Sequence, residues 1–211
     1  MKTVTLRVVH TLGAGHLALF LILVSGCVTT RPEKVEGKKL KIAVLDFSNE
    51  SRSSTRGLGK FFADRLTQEL YQQERYEIVE RGEIASVLVA EKIDKASDLL
   101  STQEFKRVGT KLDADVLIVG VVTEYKQGNI EEGPSRVGLL VKAVSCKDGH
   151  LVGMENIRKK GKGDVVSLSE GTAAEAAGRL IKPLHKEAKA LQAPLESQDS
   201  LFVPVGTGKG K

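Results

Sequence analysis

The sequence predicts a single α/β domain of three-layer type on a mixed sheet, in the order β-α-β-α-α-β-β-β-α, and three observations carry that expectation. The first is Asp113–Lys126, DADVLIVGVVTEYK, whose run from Val116 to Val122 is apolar, rich in β-branched residues and too short for a membrane helix. Such a run fits a central strand covered on both faces; the polar residues from Thr123 onward predict that its far half emerges into solvent. The second is a pair of helical stripes ahead of it, Leu58, Phe62, Leu66 and Leu70 in one segment and Phe105, Val108 and Leu112 in another. The third is the region after it, where apolar segments alternate with polar turns and read as an antiparallel meander.

The chain opens on a targeting segment. Lys2 and Arg7 give a positive start, Leu17–Val24 is a short apolar core, and Val24, Ser25, Gly26 and Cys27 form a lipobox. Eight apolar residues do not span a bilayer, which takes about 20, whereas small residues followed at once by a cysteine fit cleavage and attachment of diacylglycerol to Cys27. Each buried methylene contributes about 0.8 kcal/mol, so several acyl chains such as palmitate hold a protein at a membrane. Val28, in a position where aspartate would argue for inner-membrane retention, favours the outer membrane, with the domain facing the periplasm. The expected layout is a signal peptide at 1–26, a lipidated tether at 27–39, the α/β domain at 40–193 and a flexible tail at 194–211.

Within the domain, Leu40–Phe47 reads as a first strand and Ser48–Arg56 as the loop leaving it. Gly57–Gln73 is an amphipathic helix, Tyr76–Glu80 a second strand and Glu83–Lys92 a short helix. Ser101 and Glu104 have capping-box spacing and open a helix to Leu112, in which Gly109 marks close packing against the sheet. The central strand follows, with Val119 expected to be fully buried. A polar turn at Gln127–Arg136 leads back into Val137–Cys146, Lys147–Gly149 turns the chain again, and Leu151–Arg158 completes the meander. Ser167–Leu191 is the last helix, with Pro183 expected to kink or split it.

Composition narrows the function classes. The chain carries 32 basic and 27 acidic residues; loss of Lys2 and Arg7 with the signal peptide leaves a charge of +3, too mild and too interleaved with acids to indicate nucleic acid. With Cys27 lipidated, Cys146 is the lone thiol, so a disulfide framework is excluded and Cys146 reads as a buried small hydrophobe. His150 and His185 lack the paired cysteines or spaced carboxylates of a metal set, no serine sits in a nucleophile elbow, and Gly206–Lys211 has no following helix to make a phosphate loop. Asp46 and Glu50 are the best acid pair but lack a partner base. No catalytic residue, metal or cofactor is therefore expected, and the protein does not read as an enzyme.

Lys41–Phe47, Tyr76–Arg81, Val108–Gly120 and the Lys147–Gly149 turn, in that order behind a lipobox, resemble the CsgG family of curli assembly and transport lipoproteins. The resemblance covers roughly Leu40–Gly161 and implies a non-enzymatic, lipid-anchored periplasmic domain that serves a surface structure, curli-like or flagellar, through contacts with envelope proteins. A homo-oligomer is among the arrangements it allows. The channel-forming member carries two long β-hairpins near the positions of Gln127–Arg136 and Met154–Val166, where a membrane strand needs about nine to eleven alternating residues. Glu131, Glu132, Pro134, Arg158, Lys159, Lys160 and Lys162 do not provide them, so this chain resembles a short form of the family and is equally similar to FlgO and LpoB lipoproteins. An LpoB-like activator of a peptidoglycan synthase is the alternative reading; a tether of about a dozen residues reaches only about 40 Å when fully extended, which argues against it.

Overall fold

The computed structural model describes residues 38–93, 101–131 and 133–192. Ten elements run in order: β1 Leu40–Val44, β2 Ser48–Asn49, α1 Leu58–Tyr71, β3 Tyr76–Ile78, α2 Arg81–Ala90, α3 Thr102–Lys111, β4 Val116–Lys126, β5 Ser135–Ser145, β6 Leu151–Gly161 and α4 Val165–Gln192. The sheet order is β3-β1-β4-β5-β6, with β2 also beside β4. β1 lies parallel to β3 and β4, and the β4-β5-β6 meander is antiparallel, so the sheet is mixed and β4 is central, as expected.

Alternation along the strands divides the apolar residues into two cores. Leu40, Ile42 and Val44 of β1, with Val116, Ile118 and Val122 of β4, point to the side where α1 and α4 pack. Ala43 and Leu117 point the other way, toward Ile84 of α2 and Val108 of α3, which makes the domain three-layered. The burial of β4 fades after Val122 as its polar end emerges. Val119 is a correction: it is only partly buried against the second core, because α2 and α3 cover the start of β4 and stop short of its middle.

The segment expected as a loop after β1 contains an additional strand. β2 pairs with β4 at Val121 and Val122, on the same edge where β1 pairs with Val116–Ile118, so β1 and β2 form one interrupted strand. Phe47 fills the interruption. A Cβ on Gly120 would stand 2.7 Å from its ring, and one on Gly59 would stand 1.7 Å from its carbonyl oxygen, so both positions exclude any side chain. Gly109 behaves as expected: a Cβ there would lie 2.3 Å from Cys146 Sγ.

Other boundaries shift for local reasons. α2 begins at Arg81 and ends at Ala90, and β3 is shortened to Tyr76–Ile78 because only those residues align with β1. β5 starts at Ser135 and β6 runs on to Gly161, since Ser135 pairs with Gly161. The capping box of α3 forms, Ser101 N donating to Glu104 Oε2 at 2.8 Å and Glu104 N to Ser101 Oγ at 3.2 Å. α4 is one helix of 28 residues through Pro183, which does not split it. The signal segment, the lipobox with Val24, Ser25, Gly26 and Cys27, and the tail from 194 lie outside the described residues.

Candidate functional site

The carboxyl end of β4, the Glu50–Ser54 loop after β2 and the facing ends of β5 and β6 enclose an open polar groove of about 770 Å³. Asn49 builds its loop wall: the side chain accepts from Ser51 N at 3.1 Å and from Ser51 Oγ at 2.6 Å and donates to the Ser53 carbonyl at 3.1 Å. Such side-chain bonds fix a turn that the backbone alone does not. The sheet wall owes its form to a bulge between Val122 and Glu124, which places Tyr125 against the α1/α4 core and Glu124 on the opposite face. Glu124 meets Arg136 Nε at 3.0 Å, and Arg158 completes the wall from β6. The buried Thr123 hydroxyl, which lines the groove, has no hydrogen-bond partner.

Two side chains hold this end of the sheet together. Gln127 accepts from Val165 N at 3.0 Å and donates to the Gly163 carbonyl at 3.3 Å. Ser135 Oγ donates to the same carbonyl at 2.6 Å and accepts from Gly128 N at 2.9 Å. The β4–β5 turn and the β6–α4 junction, the two places where the resemblance puts long hairpins in a channel former, are thus short and bonded to one another. Sequence reading treated Gln127 merely as the first residue of a turn; no local signal announces bonds that span 28 to 38 residues.

The acid pair proposed from sequence is divided between two settings. Asp46 forms an ion pair with Arg81, which also reaches Asp64 at 2.7 Å, while Asp64 pairs with Lys60 at 2.6 Å. Glu50 instead lines the groove. His150 meets two carboxylates that its sequence neighbourhood does not announce as a set: Nδ1 lies 2.7 Å from Asp148 and Nε2 3.2 Å from Glu187 of α4. The Asp148 contact foremost, aided by the negative charge of Glu187 and opposed by desolvation, raises the pKa of His150. Both ring nitrogens are engaged, and among the described residues no group of three or more histidine, cysteine, aspartate or glutamate side chains is placed to hold a metal ion. Burial, reinforced by the charge of Asp115, pushes the Cys146 thiol up to about 12, which makes it a poor nucleophile at neutral pH.

A family model described as curli production assembly/transport component CsgG matches residues 27–172, more than two thirds of the chain. No curated protein matches the chain by sequence. Among solved structures, the chain is similar to a PelC dodecamer from Paraburkholderia phytofirmans at 15% identity, over 75% of this chain and 90% of that one, with a TM-score of 0.47. Lipoprotein GNA1162 from Neisseria meningitidis is similar at 16% identity, over 67% and 96%, with a TM-score of 0.48. The LpoB C-terminal domain from Salmonella enterica is similar at 10% identity, over 61% and 87%, with a TM-score of 0.45.

Proposed function

Because the chain belongs to the CsgG family, we propose that it is a non-enzymatic outer-membrane lipoprotein, held by lipid on Cys27, whose domain faces the periplasm. There it serves the assembly or transport of a surface structure through contacts with other envelope proteins. The observation that carries this reading is the family match itself, which begins at residue 27, the cysteine that ends the lipobox read independently from Val24, Ser25 and Gly26. The site supports a binding role: the groove is polar and open, its Glu124 is paired with Arg136, and the one described thiol is buried.

The anchor is tested by Cys27→Ser. In cells fed radioactive palmitate the wild-type protein takes up label, and the Cys27→Ser protein takes up none and is left unprocessed. Label retained by Cys27→Ser rejects the anchor. Affinity capture of the native lipoprotein from solubilised envelopes then identifies its partners; recovery of envelope assembly proteins supports the role, and enzymatic turnover by the purified chain overturns it.

A further inference from the structure

The outer face of the meander, the face turned away from α1 and α4, carries basic side chains in register. Lys126 of β4, Arg136 of β5 and Lys160 of β6 are successive cross-strand neighbours, and Arg158 sits two residues before Lys160 on the same face. Adjacent strands lie about 4.8 Å apart and alternate residues about 6.6 Å apart, so the four cations form a compact lattice. Like charges directly opposite one another across strands are destabilising. Arg136 has Glu124, but among the described residues Arg158 and Lys160 reach no carboxylate and are exposed. On the other side of β6, by contrast, Lys159 is paired with Glu175 at 2.8 Å. β6 is also the last strand of the sheet, and among the described residues nothing pairs with its second edge over eleven residues.

We propose that the edge and outer face of β6 take up an extended acidic segment of a partner protein as an added strand, its carboxylates on Arg158, Lys160 and Arg136. An extended chain presents every second side chain to one face, so acidic residues at i and i+2 match the spacing of Arg158 and Lys160, while backbone bonds to the free edge supply affinity. A second copy paired edge to edge through its own β6 is the wrong occupant, because that would bring two basic rows together. A lipid surface fits poorly: Ile130, a fully exposed apolar residue at this end, is followed in sequence by Glu131 and Glu132. An acidic glycan finds a single aromatic ring here, that of Tyr125, and it is partly buried against the α1/α4 core. The lattice continues into the groove through Arg158 and Arg136.

This names a class of partner for the binding role proposed above, and its test reads no localisation, so failure of the anchor and failure of this surface give different results. The full lipidated protein in detergent micelles is titrated with a fluorescein-labelled twelve-residue peptide of alternating Glu and Thr, and with its Lys-for-Glu counterpart. The acidic peptide binds, the lysine peptide does not, and affinity falls as salt is raised. Arg158→Glu/Lys160→Glu loses about tenfold or more, Arg158→Gln/Lys160→Gln loses less, and Lys182→Glu/Lys186→Glu on the exposed face of α4 leaves binding intact. Absence of acidic-peptide binding overturns the proposal, as does binding unchanged in both Arg158/Lys160 variants. Tighter binding to alginate or to vesicles of anionic phospholipid than to the peptide overturns it in favour of a glycan or a membrane.

Discussion

Gly59 is the residue at which helix propensity and packing disagree most sharply. Replacing a helical glycine by alanine ordinarily gains up to about 1 kcal/mol, but here the new methyl would meet the Phe47 carbonyl at 1.7 Å, and a backbone oxygen has little room to retreat. Overpacking of this kind costs about 1–3 kcal/mol or more, so Gly59→Ala lowers the midpoint of urea unfolding; an unchanged or raised midpoint shows that the Phe47 turn relaxes freely. The close approach at Gly109 was legible because a glycine interrupts an otherwise regular helical stripe. The approach at Gly59 was not, because no local pattern announces it: Phe47 lies in the interruption between β1 and β2, and only the folded chain brings it against the helix. His150 was legible as a residue beside a turn but not as a clasp, since Glu187 lies on a distant helix. A pKa raised in the folded state means that the clasp stabilises below the ordinary value of 6.5 and that its contribution is lost as pH rises through the raised value. Asp148, drawn down to about 2 mainly by hydrogen bonds from His150, contributes above its ordinary 3.8 and loses that contribution as pH falls toward 2. Thermal melts between pH 6 and 8.5 therefore show the stability of the wild type declining relative to His150→Gln; parallel profiles rule the clasp out.

At the scale of elements, β4 shows what a run of apolar residues can and cannot reveal. Its existence, its centrality and its fading burial followed from DADVLIVGVVTEYK, whereas the exact limit of its cover did not, because that limit is set by where α2 and α3 end. Ile118 is fully buried beneath α1 and α4, and Val119 faces the thinner cover. An unpaired carboxylate at Ile118 costs enough to exhaust much of a typical net stability of about 5–15 kcal/mol, while at Val119 water can reach it. Ile118→Asp thus loses the cooperative melt, and Val119→Asp keeps one at a lower midpoint; the reverse order would show that the layers are assigned to the wrong faces. β2 escaped notice because two residues carry no periodicity, and its pairing with β4 is visible only once β1 has been laid alongside. Pro183 was read as a break because proline removes a helical hydrogen bond. Its ring packs near Gly153, where an added Cβ would lie 3.0 Å from Pro183 Cγ, and that tertiary contact holds α4 together through it.

For the whole molecule, the order of layers, the mixed sheet and the short turns were all readable, while the groove was not, since its walls come from residues 50–54, 123–127, 136 and 158. The short β4–β5 and β6–α4 connections bear on transport. Spanning a membrane as a barrel requires long alternating strands with a continuous apolar outer band, and an arginine or lysine at the midplane costs about 2–4 kcal/mol. The purified lipidated protein gives no stepwise conductance in planar bilayers; reproducible steps that vanish on deleting 129–135 would restore a channel. The two ends of the described domain meet: Gln192 Nε2 donates to the Lys38 carbonyl at 2.8 Å. β1 starts beside the amino end of β4, and Lys126 lies ten residues, about 33 Å, further along. That arrangement has a mechanical consequence. β1 is clamped between two parallel neighbours, so tension entering at Lys38 along the strand loads both ladders in shear and must break their bonds together instead of one by one. Lys38 is therefore a strong handle: a load applied there passes into the sheet through two ladders at once.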